Sequence, residues 1–328
     1  MRCAYNPLLE RAAWQAGGRV RLQRSIERQA ITVGAGAEHL LWGASQASTK
    51  GVTSRGVFVQ TARGSLFLSA EAMRGPLTVN IGGDGSWLST VECDTTVVVE
   101  PSALRLMPSG WMADLDQAHV WRTPGRGGTA DPAEAQRPRI VRLSERIPQP
   151  PSPAWMGCLA EWIAQGSPLA ARPEHPQADR VASLDRAIAG GDADACSSLM
   201  EGLLGWGQGL TPSGDDFLIG ALLALSRAGH EWQAAESILD AAREVVTYAA
   251  DNRTTSISAS LLVCAAEGEA DERLITLVDH VQTGVPGEAE AQAAASSWGA
   301  TSGWDALAGI GVTLAAFVSQ PDSQSRTS

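Results

Sequence analysis

Lysine is almost missing from this chain. Of 25 basic residues in 328, only Lys50 is a lysine and the rest are arginines. A GC-rich genome would give that bias, yet it restricts the chemistry. A phosphate-binding P-loop needs a lysine directly after its glycines, and Lys50, within Ser45-Gln46-Ala47-Ser48-Thr49-Lys50-Gly51, lacks that spacing. Schiff-base chemistry has this single candidate. An anion clamp elsewhere must use arginine, backbone amides or a metal.

Cysteine is equally uninformative as a ligand. Cys3, Cys93, Cys158, Cys196 and Cys264 are scattered, with no CxxC pair for zinc or redox work. An odd, dispersed set suits a reducing compartment. His39, His119, His175, His230 and His280 form no HExxH or other metal spacing. No apolar signal core opens the chain and no run is long enough to span a bilayer, so the expectation is a cytoplasmic protein without a membrane partner. The net charge of −11 argues against a nucleic-acid surface but leaves room for small anions. Gly34-Ala35-Gly36 and Gly82-Gly83-Asp84-Gly85 lack the third glycine and following helix of a dinucleotide fingerprint and read as turns. No GxSxG nucleophile elbow is evident.

Apolar residues make up 44% and charged residues 19%, enough to bury a large core over one large or two ordinary domains. The first part reads as short strands: Val57 to Gln60, Ser65 to Ser69, Leu77 to Ile81, and Thr95 to Glu100 ending at Pro101. Residues 123–154, with Gly125-Arg126-Gly127-Gly128 and a proline-rich end, read as a linker or irregular connection. Beyond them, Asp192 to Leu204, Phe217 to Ala228, Trp232 to Ala250, Ser256 to Glu267 and Leu307 to Val318 read as helices. The expected fold class is α+β: a β-rich, barrel- or sandwich-like domain over 1–122, a mostly helical domain over 155–319, and a disordered polar tail over 320–328.

One stretch stands apart. Gly205-Trp206-Gly207-Gln208-Gly209-Leu210-Thr211-Pro212-Ser213-Gly214-Asp215-Asp216 runs straight into an apolar helix. Glycines let backbone approach a ligand closely, and a helix start offers unpaired amides with a positive dipole end. Helix capping, by Ser213 with Asp216 or by Thr211 with Pro212 in the first turn, would account for one acid. It requires neither three alternating glycines nor a second acid. A later segment, Ser302-Gly303-Trp304-Asp305-Ala306-Leu307-Ala308-Gly309, matches Ser213 to Gly220 at five of eight positions, with Thr301 and Thr211 just upstream. Chance in a Gly- and Ala-rich chain is the bland account. An internal repeat is the sharper one, and it predicts that Asp216 and Asp305 approach each other while Gly220 and Gly309 allow close helix contact.

The acids limit the ligand. Asp215 and Asp216 would repel a phosphate at that helix start. Either a divalent cation such as Mg²⁺ bridges Asp215 and Asp216 to an anion, or the carboxylates accept hydrogen bonds from an amide or amine while backbone amides hold the ligand's anionic end. Between the segments lies Asp251-Asn252-Arg253-Thr254-Thr255-Ser256. It reads equally as a helix cap and as a site contribution, with Arg253 the candidate anion clamp and Thr254 and Thr255 hydroxyl donors.

Three runs, Gly209 to Leu218, Arg253 to Ser258 and Gly299 to Asp305, together resemble a bacterial family described as an oxamate carbamoyltransferase subunit of purine (allantoin) catabolism. The resemblance is specific in the C-terminal half and looser over Ser54 to Ile81. The family's final motif reads Gly-His-Thr-Ser-Gly, and here Ala300 stands in place of the histidine. The resemblance implies a multi-subunit enzyme that moves a carbamoyl group between oxamate or a related small amide and phosphate, with carbamoyl phosphate on one side. In that reading Asp215, Asp216 and Asp305 bind the amide end or a metal. Gly207, Gly209, Thr211, Ser213, Gly214, Thr254, Thr255, Ser302 and Gly303 supply backbone and hydroxyl contacts, and Arg253 holds the anionic end. A non-catalytic ligand-binding or scaffold subunit and a Mg²⁺-dependent phosphotransferase are the alternatives.

Overall fold

Alternation of inward and outward side chains turns the first part of the chain into a sheet that closes on itself. The structure is a computed structural model and describes residues 27–107, 109–146, 155–165, 174–228, 232, 234–299 and 301–318. Among these, nine strands occur: β1 (Glu27–Gly34), β2 (Gln46–Val52), β3 (Gly56–Gln60), β4 (Ser65–Ser69), β5 (Thr78–Ile81), β6 (Thr96–Glu100), β7 (Ala103–Met107), β8 (Trp111–Asp114) and β9 (His119–Trp121). Eight of them form a closed ring in the order β1-β5-β4-β3-β2-β6-β7-β8, and β8 returns to β1. β1 closes the barrel by pairing antiparallel with β5 through Ala30 to Val33 and parallel with β8 through Glu27 to Gln29. β9 runs parallel beside the last residues of β1.

Val57 and Val59, Leu66 and Leu68, Val97, Leu104 and Leu106 fill the interior together with Trp87 and Trp111, whose rings stack at 4.7 Å. The residues between them face outward; Phe58 and Phe67 meet there at 4.6 Å.

The β-rich expectation resolves as a barrel. The four strands legible in sequence are present to within a residue. β1, β2, β7, β8 and β9 were not legible: β2 (Gln-Ala-Ser-Thr-Lys-Gly-Val) is mostly polar, and β8 and β9 have only four and three residues.

Helix α1 (Ala35–Leu41) follows β1, and ten more helices follow β9 among the described residues: α2 (Ala133–Ser144), α3 (Ala160–Ala164), α4 (Ala178–Gly190), α5 (Ala193–Glu201), α6 (Ser213–Ala228), α7 (Ala234–Arg253), α8 (Ser256–Ala266), α9 (Glu272–Thr283), α10 (Glu288–Ser297) and α11 (Ser302–Val318). α2 lies within 123–154, the stretch read as linker. Its Ile140 and Leu143 are buried in the helical core, and Pro138 inside it had masked the pattern. The proposed tail at 320–328 and the proline-rich run at 148–153 fall outside the described residues.

The helical core is organised around α6 and α11. Phe217 to Leu225 are all buried on α6, as an apolar run without a polar face requires. Barrel and helices share an interface. Ser65 N donates to Ser260 Oγ at 2.9 Å, and Glu272 accepts from Arg74 N, Nε and Nη2 at 2.7–2.9 Å. Leu261 of α8 packs against both apolar cores.

Candidate functional site

The two related segments meet at a local pseudo-twofold. Both start a helix in the same way: Asp215 and Asp216 amides donate to Pro212 O, and Trp304 and Asp305 amides donate to Thr301 O. A side chain at Gly214 would strike Leu203 O, and one at the equivalent Gly303 would strike Ala295 O. Gly220 abuts Ala306 O and Gly309 abuts Phe217 O, which are equivalent positions exchanged. A Cβ at Gly309 would lie 1.8 Å from Phe217 O, so only glycine lets α6 and α11 approach this closely.

The consequence for the acids is direct. Asp216 and Asp305 occupy equivalent positions at the two helix starts, and both are 0% exposed. Their neighbours are exchanged in the same way: the Ser302 hydroxyl is turned to Asp216 and the Ser213 hydroxyl to Asp305. Thr211 Oγ1 joins Ser302 Oγ at 3.2 Å beside Asp216. Asp305 Oδ1 accepts from Gly157 N at 2.7 Å, while Asp305 Oδ2 and both Asp216 oxygens have no well-formed hydrogen bond.

Burial raises the Asp305 carboxyl to about 8, against the opposing pull of the Gly157 amide and the Ser213, Trp155 and Thr301 contacts. Burial first, and then the Asp305 charge, hold Asp216 well above the usual carboxylate range. Burial is the larger cause and the Asp305 charge the second, and both favour the protonated form of Asp216, which can donate as well as accept.

Asp215 faces elsewhere. Its Oδ1 accepts from Gly205 N at 2.7 Å and its Oδ2 from Thr254 Oγ1, with Ser258 nearby; burial raises its pKa while these contacts lower it. It anchors the glycine loop to the start of α8. Thr255 caps α8 by accepting from Ser258 N at 3.1 Å, and it donates to Leu210 O at 2.6 Å. The loop needs its glycines. Gly207 has φ +114°, and a Cβ there would lie 2.7 Å from Ser213 N, whereas Gly209 faces open space. The Arg253 guanidinium pairs with Glu201 at 2.9 Å on the surface and is not brought to the acid pair.

A Mg²⁺ ion shared by Asp215 and Asp216 would meet Asp215 oxygens that already accept from Gly205 N and Thr254 Oγ1. Among the described residues no group of three or more His, Cys, Asp or Glu side chains is placed to hold a metal.

Thr211 and Ser302, which screen Asp216, also line a cleft of about 290 Å³ between the helices and the barrel. Its walls include Phe58, Phe67, Ile257 and Trp298, and its charged groups are Arg55, Glu71, Asp271 and Arg273. The barrel's contribution was missed in sequence. Arg55 sits in a β-turn and Arg273 in the first turn of α9, and no local pattern links either to the motifs.

A closed barrel joined to a helical body, with two equivalent carboxyls buried at glycine-packed helix starts beside a cleft, is an α+β architecture. Residues 203–314 match the family described as Oxamate carbamoyltransferase subunit AllH, as the C-terminal motifs implied. That segment holds the glycine loop, Asp215, Asp216, Asp305 and α6 through most of α11. No curated protein and no solved structure matches the chain. No helix among the described residues is long and apolar enough to cross a membrane.

Proposed function

We propose that this chain is the amide-binding subunit of a cytoplasmic carbamoyltransferase complex, with oxamate or a related small amide as the acceptor. The observation that carries this reading is Asp216: a fully buried carboxyl with neither oxygen in a well-formed hydrogen bond, beside the Thr211 and Ser302 hydroxyls, which line a cleft. A carboxylic acid kept neutral in a dry site accepts from an amide N–H and donates to a carbonyl oxygen. Oxamate and carbamoyl phosphate each join an NH₂-bearing carbonyl to an anionic end, and the family match points to the same chemistry.

In the direction of carbamoylation, the acceptor nitrogen attacks the carbonyl carbon of carbamoyl phosphate. A C–N bond forms, the C–O bond to phosphate breaks, phosphate leaves, and the nitrogen loses a proton. Asp216 would stabilise the oxyanion of the tetrahedral intermediate. Asp305 has a pKa near neutrality, matched to holding and releasing that proton through the Ser213 and Ser302 hydroxyls.

The test is turnover of the reconstituted complex. Asp216→Asn is expected to lower kcat by about 100-fold or more, the scale of removing one oxyanion donor. Asp305→Asn is expected to flatten the alkaline limb of the pH profile. Unchanged rates in both variants would remove the acid pair from the reaction.

One observation favours a second reading, a ligand-binding subunit without chemistry of its own: both acids are fully buried in the isolated chain. Ligand binding by the complex with wild-type turnover in Asp216→Asn would select it.

A further inference from the structure

The cleft beside Ser302 contains two arginines with different surroundings. Arg273 is spent: Nε and Nη2 each donate to Asp271 at 2.7 Å, and Nη1 donates to Ser297 O at 3.0 Å and lies 3.7 Å from Glu71. Arg55 is not. Its Nη1 donates to Ser297 O and its Nε lies 3.3 Å from Glu71, and neither contact occupies Nη2. Its side chain is 38% exposed, against 12% for Arg273. Arg55 is held in place by its own turn, where its amide donates to Thr53 Oγ1 at 3.1 Å and Thr53 N donates to Gly56 O at 2.9 Å. Ser297, which both arginines hold, ends α10 five residues before Ser302, so Arg55 is tied to the loop that leads to the acid pair.

We infer that Arg55, from the barrel, recognises the anionic end of the ligand whose amide end is read by Asp216, Thr211 and Ser302. The ligand class is a short molecule with a carboxylate at one end and an amide or carbamoyl group at the other. The inference rests on the acid-pair reading above, and it assigns to the barrel a role that lies outside the matched segment 203–314.

Three features support it. Lys50 pairs with Asp94 at 2.7 Å and does not line the cleft, so the cation must be an arginine. Glu71, the partner of Arg55 Nε, also lies near Arg273 Nη1, and Arg55 Nη2 is left to meet a ligand. Nη2 carries charge-assisted N–H donors for a carboxylate, and the apolar walls of Phe58, Phe67 and Trp298 strengthen such a contact by limiting water.

The test compares oxamate with pyruvamide, its uncharged isostere, by calorimetric titration of the full chain. Wild type is expected to prefer oxamate by about ten-fold or more, and Arg55→Gln to bind the two alike with pyruvamide affinity changed by less than about two-fold. Arg55→Lys, which keeps the charge but not the fork, should retain part of the preference. If Arg55→Gln keeps the full preference, another group reads the anion. If it loses both ligands together, Arg55 merely holds the loop at Ser297. Either result overturns the inference. Failure of the underlying reading looks different: wild type would then bind neither ligand, or Asp216→Asn would bind both normally.

Discussion

Asp215 and Asp216 are neighbours of one residue type in one helical turn, yet their environments differ. Asp215 accepts from an amide and a hydroxyl, whereas Asp216 faces another acid across the pseudo-twofold. The pKa of Asp305 gives a stability prediction whose sign is opposite to that of a salt-bridged carboxylate. Its folded-state value is raised to about 8, against about 3.9 in an unfolded chain. The folded state therefore holds a proton that the unfolded chain releases across that window. The associated stability is complete below the unfolded value and is lost as pH rises toward 8, by at most about 1.4 kcal/mol per pH unit. Asp305→Asn should remove this slope and be more stable than wild type near pH 8. Urea unfolding of both proteins from pH 5 to pH 8 checks it, and parallel stability curves would contradict it.

At this scale the sequence was partly legible. The acids, the glycines and the hydroxyls of Thr211, Ser213 and Ser302 could be singled out because a helix start is a local pattern. The division of labour between Asp215 and Asp216 could not, because it depends on Gly205, Gly157 and Ser302, which only tertiary packing brings near.

Among elements, α6 and α11 decide the site. The five-of-eight match between their starts pointed to a close helix pair through Gly220 and Gly309, and the structure has that contact. Gly309→Ala should cost about 3 kcal/mol, because the methyl must push Phe217 O away or part the helices. The same change should weaken ligand binding by moving Asp216 relative to Asp305. Gly311→Ala, two residues on, is the control. Its added methyl would meet Ile163 and Ile140 at 3.5–3.6 Å, an ordinary contact. It should be neutral or slightly stabilising, since alanine favours helix by up to about 1 kcal/mol over glycine. Thermal unfolding of the two variants side by side separates packing from helix propensity. Helix α2 and the small strands were not legible at this scale, because Pro138 and short polar runs interrupt the periodicity that marks an element.

For the whole molecule, the cleft is built from parts distant in sequence: Thr53, Arg55 and Phe58 from the barrel, Thr211 and Ile257 from the helical region, and Trp298, Gly299 and Ser302 around the start of the last helix. The α+β class and the order of β-rich then helical parts could be read from composition and pattern. The closure of the barrel and the position of Arg55 could not, because strand pairing such as that of β1 with β5 and β8 is long-range. The central claim is that the buried acid pair of this chain binds a small amide. Calorimetric titration of the purified chain with oxamate, wild type against Asp216→Asn, tests it most directly. The account predicts saturable binding by wild type and a loss of about ten-fold or more in the variant, the scale of a hydrogen-bonded group in a buried site. Equal binding by the two proteins, or none by wild type, would contradict it.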